Sequence, residues 1–264
     1  MRLLNQILNE APQFNMWTQA IYVGYRGSIA HGTFIPNSNP ASIDDKDIFG
    51  IAIPTKEYFF GLKEFEQFER KQENWDVLVY DFREFIRLLV KANPNVMEAL
   101  WTPSNHTLKT SWQFGELQKN KHLFAHRGIY KSFYGYSYGQ LRKMENMAHV
   151  AHNGYMGKKR KALVDKFGYD CKTAQHLIRL LRQGIEFLET GELIVERPDK
   201  AELIQIKTGQ WSIEKVKSKA IELFQAMEQA EKKSILPEKP DYEAIDKLVQ
   251  DILGKTFVAN GYDK

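Results

Sequence analysis

The sequence predicts an α/β domain followed by an all-α helical-bundle domain. Three segments with the apolar character of β-strands lie in the first third of the chain, at residues 20–28, 47–54 and 75–81. From about residue 120 onward strand signals nearly vanish, and helical periodicity ended by Gly, Ser or Pro recurs. We therefore place the α/β domain at residues 1–118 and the helical domain at residues 119–264.

The amino-acid composition limits the classes of protein to which the chain can belong. The chain has 264 residues, and its 43% hydrophobic content is enough to build real cores. The formal net charge of +4 is too small to indicate a polyanionic partner by itself. Cys171 is the single cysteine, which excludes an intrachain disulfide and favours a reducing compartment, so we expect a cytoplasmic protein. No apolar stretch is long enough to span a bilayer, and we expect no membrane partner.

The elements of the α/β domain follow from local signals. The first strand ends at a Gly-Ser turn, and the second is apolar on both sides, which indicates a covered sheet. The third strand gives way at once to helical spacing, and Asp81 with Glu84 three residues later resembles a capping box. Asn93 and Pro94 end that helix and open another, with Asn93 as its cap.

The helical domain is expected to contain five helices. Three are bounded by recognisable stop or cap residues: Gly191 after the third, Ser212 before the fourth, and Asp241 and Gly254 around the fifth. The predicted ranges are 124–134, 136–153, 171–189, 213–232 and 242–253.

A cluster of aspartates precedes the second strand. Asp45 and Asp47 are two residues apart, so in a strand they project to the same face, where two carboxylates favour a divalent cation such as Mg²⁺. Asp76, at the start of the third strand, is the candidate third carboxylate. Asp81 competes for that role but is better explained as a helix cap, and Asp44 is expected in the loop or behind the ligands. The alternative is a solvated Asp-rich turn.

Upstream of the aspartates, Gly27 and Ser28 end a strand where backbone N–H groups could cradle a phosphate. His31 follows just past this turn. It is either a surface or hydrogen-bonding residue or a phosphate contact, and the sequence leaves both open.

These features together resemble a known superfamily. A strand ending in Gly-Ser, then D-x-D on the next strand and a lone carboxylate on a third, resemble the nucleotidyltransferases typified by DNA polymerase β and kanamycin nucleotidyltransferase. More closely, the chain resembles the RlaP-like group of bacteria and phages, for which roles in RNA repair have been suggested. The stretches that carry this likeness are GSIAHGT, DDKDIFGI, YDFREFIRLLVKANPNVMEALW and YDCKTAQHLIRLLRQGIEFLETGEL.

The resemblance implies a nucleotidyltransferase fold with a mixed sheet and a set of site residues. Gly27 and Ser28 would hold the triphosphate of a nucleoside triphosphate such as ATP. Asp45 and Asp47 would bind two Mg²⁺ or Mn²⁺ ions, and Asp76 would bridge one ion and accept the proton of the attacking hydroxyl. Many relatives carry Ser where this chain has Asp44 immediately before the first metal aspartate.

A cationic stripe marks the third helix of the helical domain. Lys172, His176, Arg179 and Gln183 follow helical spacing, opposite an apolar side. They form either a solvated polar face or, as the resemblance suggests, a set of contacts to the nucleotide's triphosphate, with Lys172 and Arg179 neutralising charge and His176 donating a hydrogen bond.

Aromatic and basic residues interleave between residues 130 and 161. This combination suits a nucleic-acid groove, since rings stack on bases and cations follow phosphates. The alternative is that the tyrosines belong to the bundle core and the basic run is a solvated loop. The residues concerned are Tyr130, Phe133, Tyr134, Tyr136, Tyr138, Lys158, Lys159, Arg160 and Lys161.

The leading hypothesis is a metal-dependent nucleotidyltransferase that moves a nucleoside monophosphate from a nucleoside triphosphate to a hydroxyl, with the helical domain closing over the nucleotide. An RNA end is the expected acceptor, a small molecule or a protein is the nearest variant, and an RNA ligase is the expected functional partner. Two alternatives remain: a non-catalytic nucleotide- or RNA-binding module of the same fold, and a nucleotide-sugar glycosyltransferase, which also uses D-x-D.

Overall fold

The computed structural model describes residues 1–36, 38–39, 44–150 and 158–259, without the side chains of residues 146–150, 158–160 and 259. The end of the predicted helix 136–153 and the side chains of Lys158, Lys159 and Arg160 therefore lie outside the described residues. The chain forms two compact units. The α/β unit comprises Met1–Ala30, Asp45–Ala125 and Lys239–Lys264, and the helical unit comprises His31–Asp44 and His126–Glu238.

A mixed five-stranded sheet organises the α/β unit, so the mixed sheet that the resemblance implies is confirmed, although the sequence predicts only three of its strands. Its spatial order is β3-β4-β2-β1-β5, in which β2 and β4 run parallel and the other neighbours pair antiparallel. The strands are β1 Ala20–Tyr25, β2 Lys46–Ala52, β3 Gln67–Gln72, β4 Trp75–Asp81 and β5 Thr107–Thr110.

Eight helices of the described chain belong to the same unit. They are α1 Arg2–Asn9, α2 Met16–Gln19, α3 Gly27–Ala30, α4 Lys56–Phe59, α5 Phe82–Val90, α6 Pro94–Trp101, α7 Trp112–Lys119 and α13 Tyr242–Ala259. The predicted caps of α5 and α6 are confirmed: Asp81 accepts hydrogen bonds from the N–H groups of Arg83 and Glu84, and Asn93 accepts one from Asn95 N–H.

The sheet is covered on both faces. On one face, Leu4, Ile7 and Leu8 of α1 share a buried cluster with Ile48 of β2 and Val77 of β4. Since alternate residues of a strand point to opposite faces, the intervening side chains of β2 and β4 reach the second face.

Aromatic contacts cover part of that second face. The ring of Phe49 lies 5.7 Å from that of Tyr80 and 6.0 Å from that of Phe85, while Tyr22 stacks on Phe114 of α7 at 4.1 Å. Asp47 and Asp76 have the same strand parity as Phe49 and Tyr80, so the second face is the one that carries these two carboxylates.

The helical unit is built around one long helix, which packs against the four other helices described in the unit. Its first residue follows Asp170, whose side chain accepts a hydrogen bond from Thr173 N–H, and it ends at Gly191 with the left-handed φ of 74° that favours glycine. The helices of this unit are α8 Ile129–Val150, α9 Lys158–Phe167, α10 Cys171–Thr190, α11 Lys200–Lys207 and α12 Ile213–Lys233.

The structure differs from the prediction in several boundaries. The predicted helices 124–134 and 136–153 are one helix, α8, preceded by a short 3₁₀ turn, Lys121–Phe124. Gly254 does not end α13, because Phe257, beyond it, packs on the ring of Phe59 at 5.0 Å and keeps the chain helical.

The two units also differ from the domains predicted on either side of residue 118. Residues 31–44 belong to the helical unit, and residues 239–264 belong to the α/β unit. No helix among the described residues is long and apolar enough to cross a membrane.

Candidate active site

Two of the predicted aspartates lie directly opposite each other in the sheet. Asp47 on β2 and Asp76 on β4 are register partners in the parallel pair, so their Cα atoms are separated by about one strand spacing, roughly 4.8 Å, and their side chains project from the same face. The preceding partners, Lys46 and Trp75, reach the other face, where Lys46 Nζ lies 5.0 Å from the centre of the Trp75 ring. Strand alternation and register therefore bring these two carboxylates together.

The Gly-Ser turn lies against the same carboxylates, but Gly27 and Ser28 open the short helix α3 and do not belong to the first strand as predicted, because β1 ends at Tyr25. Arg26 N–H donates to the carbonyl of Asp47 at 2.9 Å, which fixes the end of β1 beside β2. Gly27 has a φ of +62°, and a Cβ atom placed on it would lie 2.4 Å from Asp47 Oδ2. Only a residue without a side chain fits between the backbone and that carboxylate.

Ser28 contributes a polar atom to this turn. Its Oγ is buried and has no hydrogen-bond partner among the described residues. Buried polar groups are nearly always paired, so an orphaned hydroxyl beside a phosphate-type turn is a feature that a bound ligand would explain.

Asp76 is held by cations. Lys71 on the edge strand β3 is its register partner in the antiparallel pair, and Lys71 Nζ lies 2.7 Å from Asp76 Oδ2. Arg26 Nη2 lies 3.8 Å from Asp76 Oδ1, an atom that is buried without a hydrogen bond among the described residues. The hydrogen bond to Asp76 raises the pKa of Lys71, the charges of Asp76, Asp45 and Glu69 add to this effect, and burial opposes it.

The carboxylate oxygens at this site provide part of the ligand set that a divalent cation needs. Asp47 and Asp76 present two oxygen ligands of the type Mg²⁺ takes, with phosphates and waters completing its shell. Asp45 lies immediately before β2. Among the described residues, no three acidic, histidine or cysteine side chains stand in an arrangement that could hold a metal ion, so Asp45 does not form a ready three-ligand cluster with the other two. The role of the three aspartates as metal ligands stays a prediction.

The two competing aspartates have other partners. Asp81 is buried and caps α5, with its Oδ1 2.7 Å from Arg83 N and 3.3 Å from Glu84 N. Asp44 lies in the loop and is completely buried in the helical unit, where it pairs with Lys207 and accepts a hydrogen bond from Ile35 N–H at 2.9 Å. The negative charge at position 44 is therefore compensated within the helical unit.

The cationic stripe of α10 is not a solvated face. Arg179 is 2% exposed and Gln183 is fully buried, and the Arg179 guanidinium is hydrogen-bonded to Gln183 and, at 2.8 Å, to His176 Nδ1. Lys172 is half-buried, with Nζ 3.4 Å from Asp44 Oδ1. Contact of these cations with a nucleotide stays a prediction.

His31 is also buried in the helical unit, and its carbonyl accepts a hydrogen bond from Arg197 N–H at 3.1 Å. The expectation that its side chain contacts phosphate stays a prediction as well.

Comparison with known proteins identifies the family. The sequence model of a family described as "RlaP: RNA repair pathway DNA polymerase beta family" matches residues 3–251. The chain belongs to the RlaP family. The resemblance found in its motifs is thereby confirmed, and RlaP membership makes it a nucleotidyltransferase-like protein.

Similarity to curated proteins and to solved structures is limited. No curated protein matches the chain. A solved structure described as a nucleotidyltransferase-like protein from Exiguobacterium sibiricum is similar, with 12% identity over 98% of this chain and 90% of the other, and a TM-score of 0.29.

Sequence reasoning missed two residues of the site. Lys71 lies on a strand whose polar, alternating sequence, QFERKQ, does not stand out as β-structure. Arg26 comes just before Gly27, where strand alternation does not indicate which face its side chain takes, yet its Nη2 lies 3.8 Å from Asp76 Oδ1. The spacing of Lys71 before the Trp75 strand indicates a tight hairpin, and that hairpin is the signal that could have placed Lys71 opposite Asp76.

Proposed function

We propose that this RlaP protein is a metal-dependent nucleotidyltransferase that transfers a nucleoside monophosphate from a nucleoside triphosphate to a hydroxyl group. The observation that carries the proposal is the register pair Asp47 and Asp76 beside the turn at Gly27 and Ser28. Two like charges at neighbouring positions of a sheet destabilise it unless a cation compensates them, and a phosphate-type turn beside them supplies the place for the nucleotide.

Each residue of the site has a role in the proposed reaction. Asp47 and Asp76 would hold the divalent cation, with Asp45 as a third ligand, and the cation would neutralise charge on the phosphates and lower the pKa of the acceptor hydroxyl. The backbone of Gly27 and the hydroxyl of Ser28 bind the triphosphate.

The chemical step forms one bond and breaks one. The acceptor oxygen attacks the α-phosphorus, the bond from that phosphorus to the bridging oxygen breaks, and pyrophosphate leaves with the bonding pair. The proton of the acceptor hydroxyl passes to a carboxylate oxygen of Asp76. The protein mainly positions the reactants and stabilises developing charge.

In the helical unit, we propose that Lys172 and His176 contact phosphate. Because Arg179 is buried and bonded to His176, it would orient the imidazole.

An RNA acceptor is the proposed substrate, and α8 offers a surface that suits it. Lys131, Gly135, Tyr138, Gly139 and Arg142 follow helical spacing on one face, and Tyr138 is exposed. The Arg142 guanidinium lies 5.2 Å from the centre of the Tyr138 ring and its Nε donates to the Tyr138 hydroxyl at 2.9 Å. An exposed ring held by an arginine can stack on a base while the cations neutralise phosphate.

RNA repair, with an RNA ligase as functional partner, is the physiological form of this proposal. The description of the RlaP family supports the role in RNA repair, and the ligase partner follows only from the proposed pathway.

The test of transfer uses α-³²P nucleoside triphosphates with single-stranded RNA in Mg²⁺ or Mn²⁺. We expect label to move to the RNA with the wild-type protein and to fall at least about a hundredfold with Asp47→Asn or Asp76→Asn, because the metal loses a charged ligand. The matched control is Glu243→Gln, an exposed carboxylate of the same unit. Labelling that survives Asp47→Asn contradicts the proposed site.

The same assay separates the alternatives. A protein that binds nucleotide but labels neither RNA, small molecules nor protein is the non-catalytic module. Sugar transfer from UDP-sugars, with no transfer from nucleoside triphosphates, identifies a glycosyltransferase.

The RNA surface has its own test, fluorescence anisotropy with a labelled single-stranded RNA. Tyr138→Ala should weaken binding about 5- to 150-fold, since base stacking on an aromatic ring is worth about 1–3 kcal/mol. Tyr242→Ala, which removes an exposed tyrosine of the other unit, is the control and should leave affinity unchanged. Equal affinities of the Tyr138→Ala and wild-type proteins would exclude this face.

A further inference from the structure

Lys71 is placed by the sheet against a proposed metal ligand. The antiparallel register of β3 and β4 sets Lys71 opposite Asp76, and the Lys71 Nζ to Asp76 Oδ2 distance of 2.7 Å is that of a charge-assisted hydrogen bond. The Lys71 side chain is 66% exposed, whereas that of Asp76 is only 13% exposed. The lysine therefore lies over the carboxylate from the solvent side, on a flexible stem.

The other oxygen of Asp76 is also close to a positive charge. Arg26 Nη2 lies 3.8 Å from Oδ1, beyond hydrogen-bond distance, and Oδ1 is buried without a hydrogen bond among the described residues. The two oxygens thus differ: Oδ2 is bonded to the ammonium of Lys71, and Oδ1 has lone pairs that no described group uses.

A divalent cation and the Lys71 ammonium compete for this carboxylate. A metal ion bound to Asp76 would lie within a few ångströms of Nζ, where like charges repel strongly, and Oδ2 cannot serve both fully. An exposed lysine can move away at little cost, because its side chain is long and its head group remains hydrated.

We propose that Lys71 is an exchangeable counter-ion of Asp76, which holds the carboxylate in the metal-free protein and is displaced when the divalent cation binds. This inference rests on the proposed function, since it takes Asp76 as a metal ligand. It makes Lys71 a positioning residue that weakens metal binding in the absence of nucleotide.

The experiment measures Mn²⁺ binding to the full chain, without nucleotide, by electron paramagnetic resonance of free Mn²⁺. Lys71→Met removes the competing charge and should bind Mn²⁺ at least about tenfold more tightly than wild type. Lys119→Met is the matched control, because Lys119 forms an equally short exposed ion pair, 2.7 Å from Glu116, on another element of the same unit. It should leave Mn²⁺ affinity unchanged.

Two further variants connect the effect to the proposed contact. Lys71→Arg keeps a cation at this position and should retain affinity close to wild type. In an Asp76→Asn background, Lys71→Met should give no gain, because the carboxylate for which the two cations compete is absent.

The outcomes separate the two proposals. Mn²⁺ binding by wild type with unchanged or weaker binding by Lys71→Met overturns the counter-ion role and leaves the proposed function standing. If neither protein binds Mn²⁺ at millimolar concentration with or without nucleotide, both the counter-ion role and the metal-dependent function are wrong. Because Lys71 is exposed on an edge strand, its variants should fold, which circular dichroism verifies.

Discussion

Asp47 and Asp76 face the same side of the sheet from neighbouring positions of two parallel strands, with Lys71 bonded to one of them and Gly27 packed against the other. Carboxylates so placed repel each other, and Lys71 and Arg26 offset part of this repulsion at Asp76. A cationic ligand that binds both carboxylates would explain this arrangement. Substitutions of residues near the pair should then differ in their effects on activity and on stability.

Gly27→Ala should damage the site more than the fold. Its φ of +62° is strained for alanine by about 1–2 kcal/mol, and the new Cβ would lie 2.4 Å from Asp47 Oδ2 and push the carboxylate aside. We expect nucleotidyl transfer to fall at least tenfold while the protein remains folded, measured by ³²P transfer and urea denaturation.

The control for this substitution is Gly115→Ala in α7, where nothing lies within 4 Å of an added Cβ. Alanine there should raise the free energy of unfolding by about 0.5–1 kcal/mol, because it restricts the unfolded chain, and should leave transfer unchanged. Full activity in Gly27→Ala would show that the close approach to Asp47 has no functional role.

Asp81→Ala should affect stability rather than chemistry. The substitution removes the side chain that accepts from two N–H groups at the start of α5 and should lower the free energy of unfolding by about 0.5–2 kcal/mol. Asp81 is five residues, about 17 Å, along β4 from Asp76, so Mn²⁺ affinity should remain that of wild type. Loss of Mn²⁺ binding without loss of stability would instead identify Asp81 as the third carboxylate.

The buried pair of Asp44 and Lys207 should be sensitive to removal of one partner. Lys207 Nζ also donates to the carbonyl of Thr33 at 2.9 Å, and both charges are shielded from solvent. Asp44→Asn leaves an uncompensated buried ammonium and should lower the free energy of unfolding by roughly 3–5 kcal/mol. Combined with Lys207→Met, the loss should be smaller than the sum of the single losses, measured by denaturation; strictly additive losses would mean that the pair is not coupled.

The ion-pair network around Asp199 predicts a pH dependence of the helical unit. Burial would raise the pKa of Asp199, but hydrogen bonds and charge from Arg182 and Arg197 outweigh burial and hold its pKa below 3.8. A carboxylate with a depressed pKa contributes stability that is present above its unfolded pKa and lost as pH falls through the folded value. Melting temperatures should therefore drop below about pH 4, and Asp199→Asn should show a shallower drop there; parallel profiles would contradict the assignment.

Much of the local structure follows from residue chemistry alone. The strand Trp75–Asp81 and the caps at Asp81, Asn93 and Ser212 depend on neighbours in sequence, and each is found as expected. Strand β3 is missed because an edge strand carries charges on its solvent side and lacks the apolar pattern of a central strand.

The sequence can predict this site only as far as it can predict which residues of neighbouring strands pair with each other. Parity alone puts Asp45 and Asp47 on one face, but the pairing of Asp47 with Asp76 requires a parallel register that no local signal specifies. Lys207 lies 163 residues from Asp44, and no periodicity connects them. Contacts between distant segments come from the whole fold, which is why Asp44 could be placed in a loop but its partner could not be named.

The α/β unit includes the helix at residues 242–259 as well as the strands near the beginning of the chain. During synthesis the ribosome therefore releases every strand of the sheet well before the last helix that packs on this unit. The α/β unit therefore remains incomplete during synthesis until more than a hundred intervening residues have emerged. Fragments cut at a single point in the chain should consequently be poor folding units, and limited proteolysis should yield nicked pieces that stay associated.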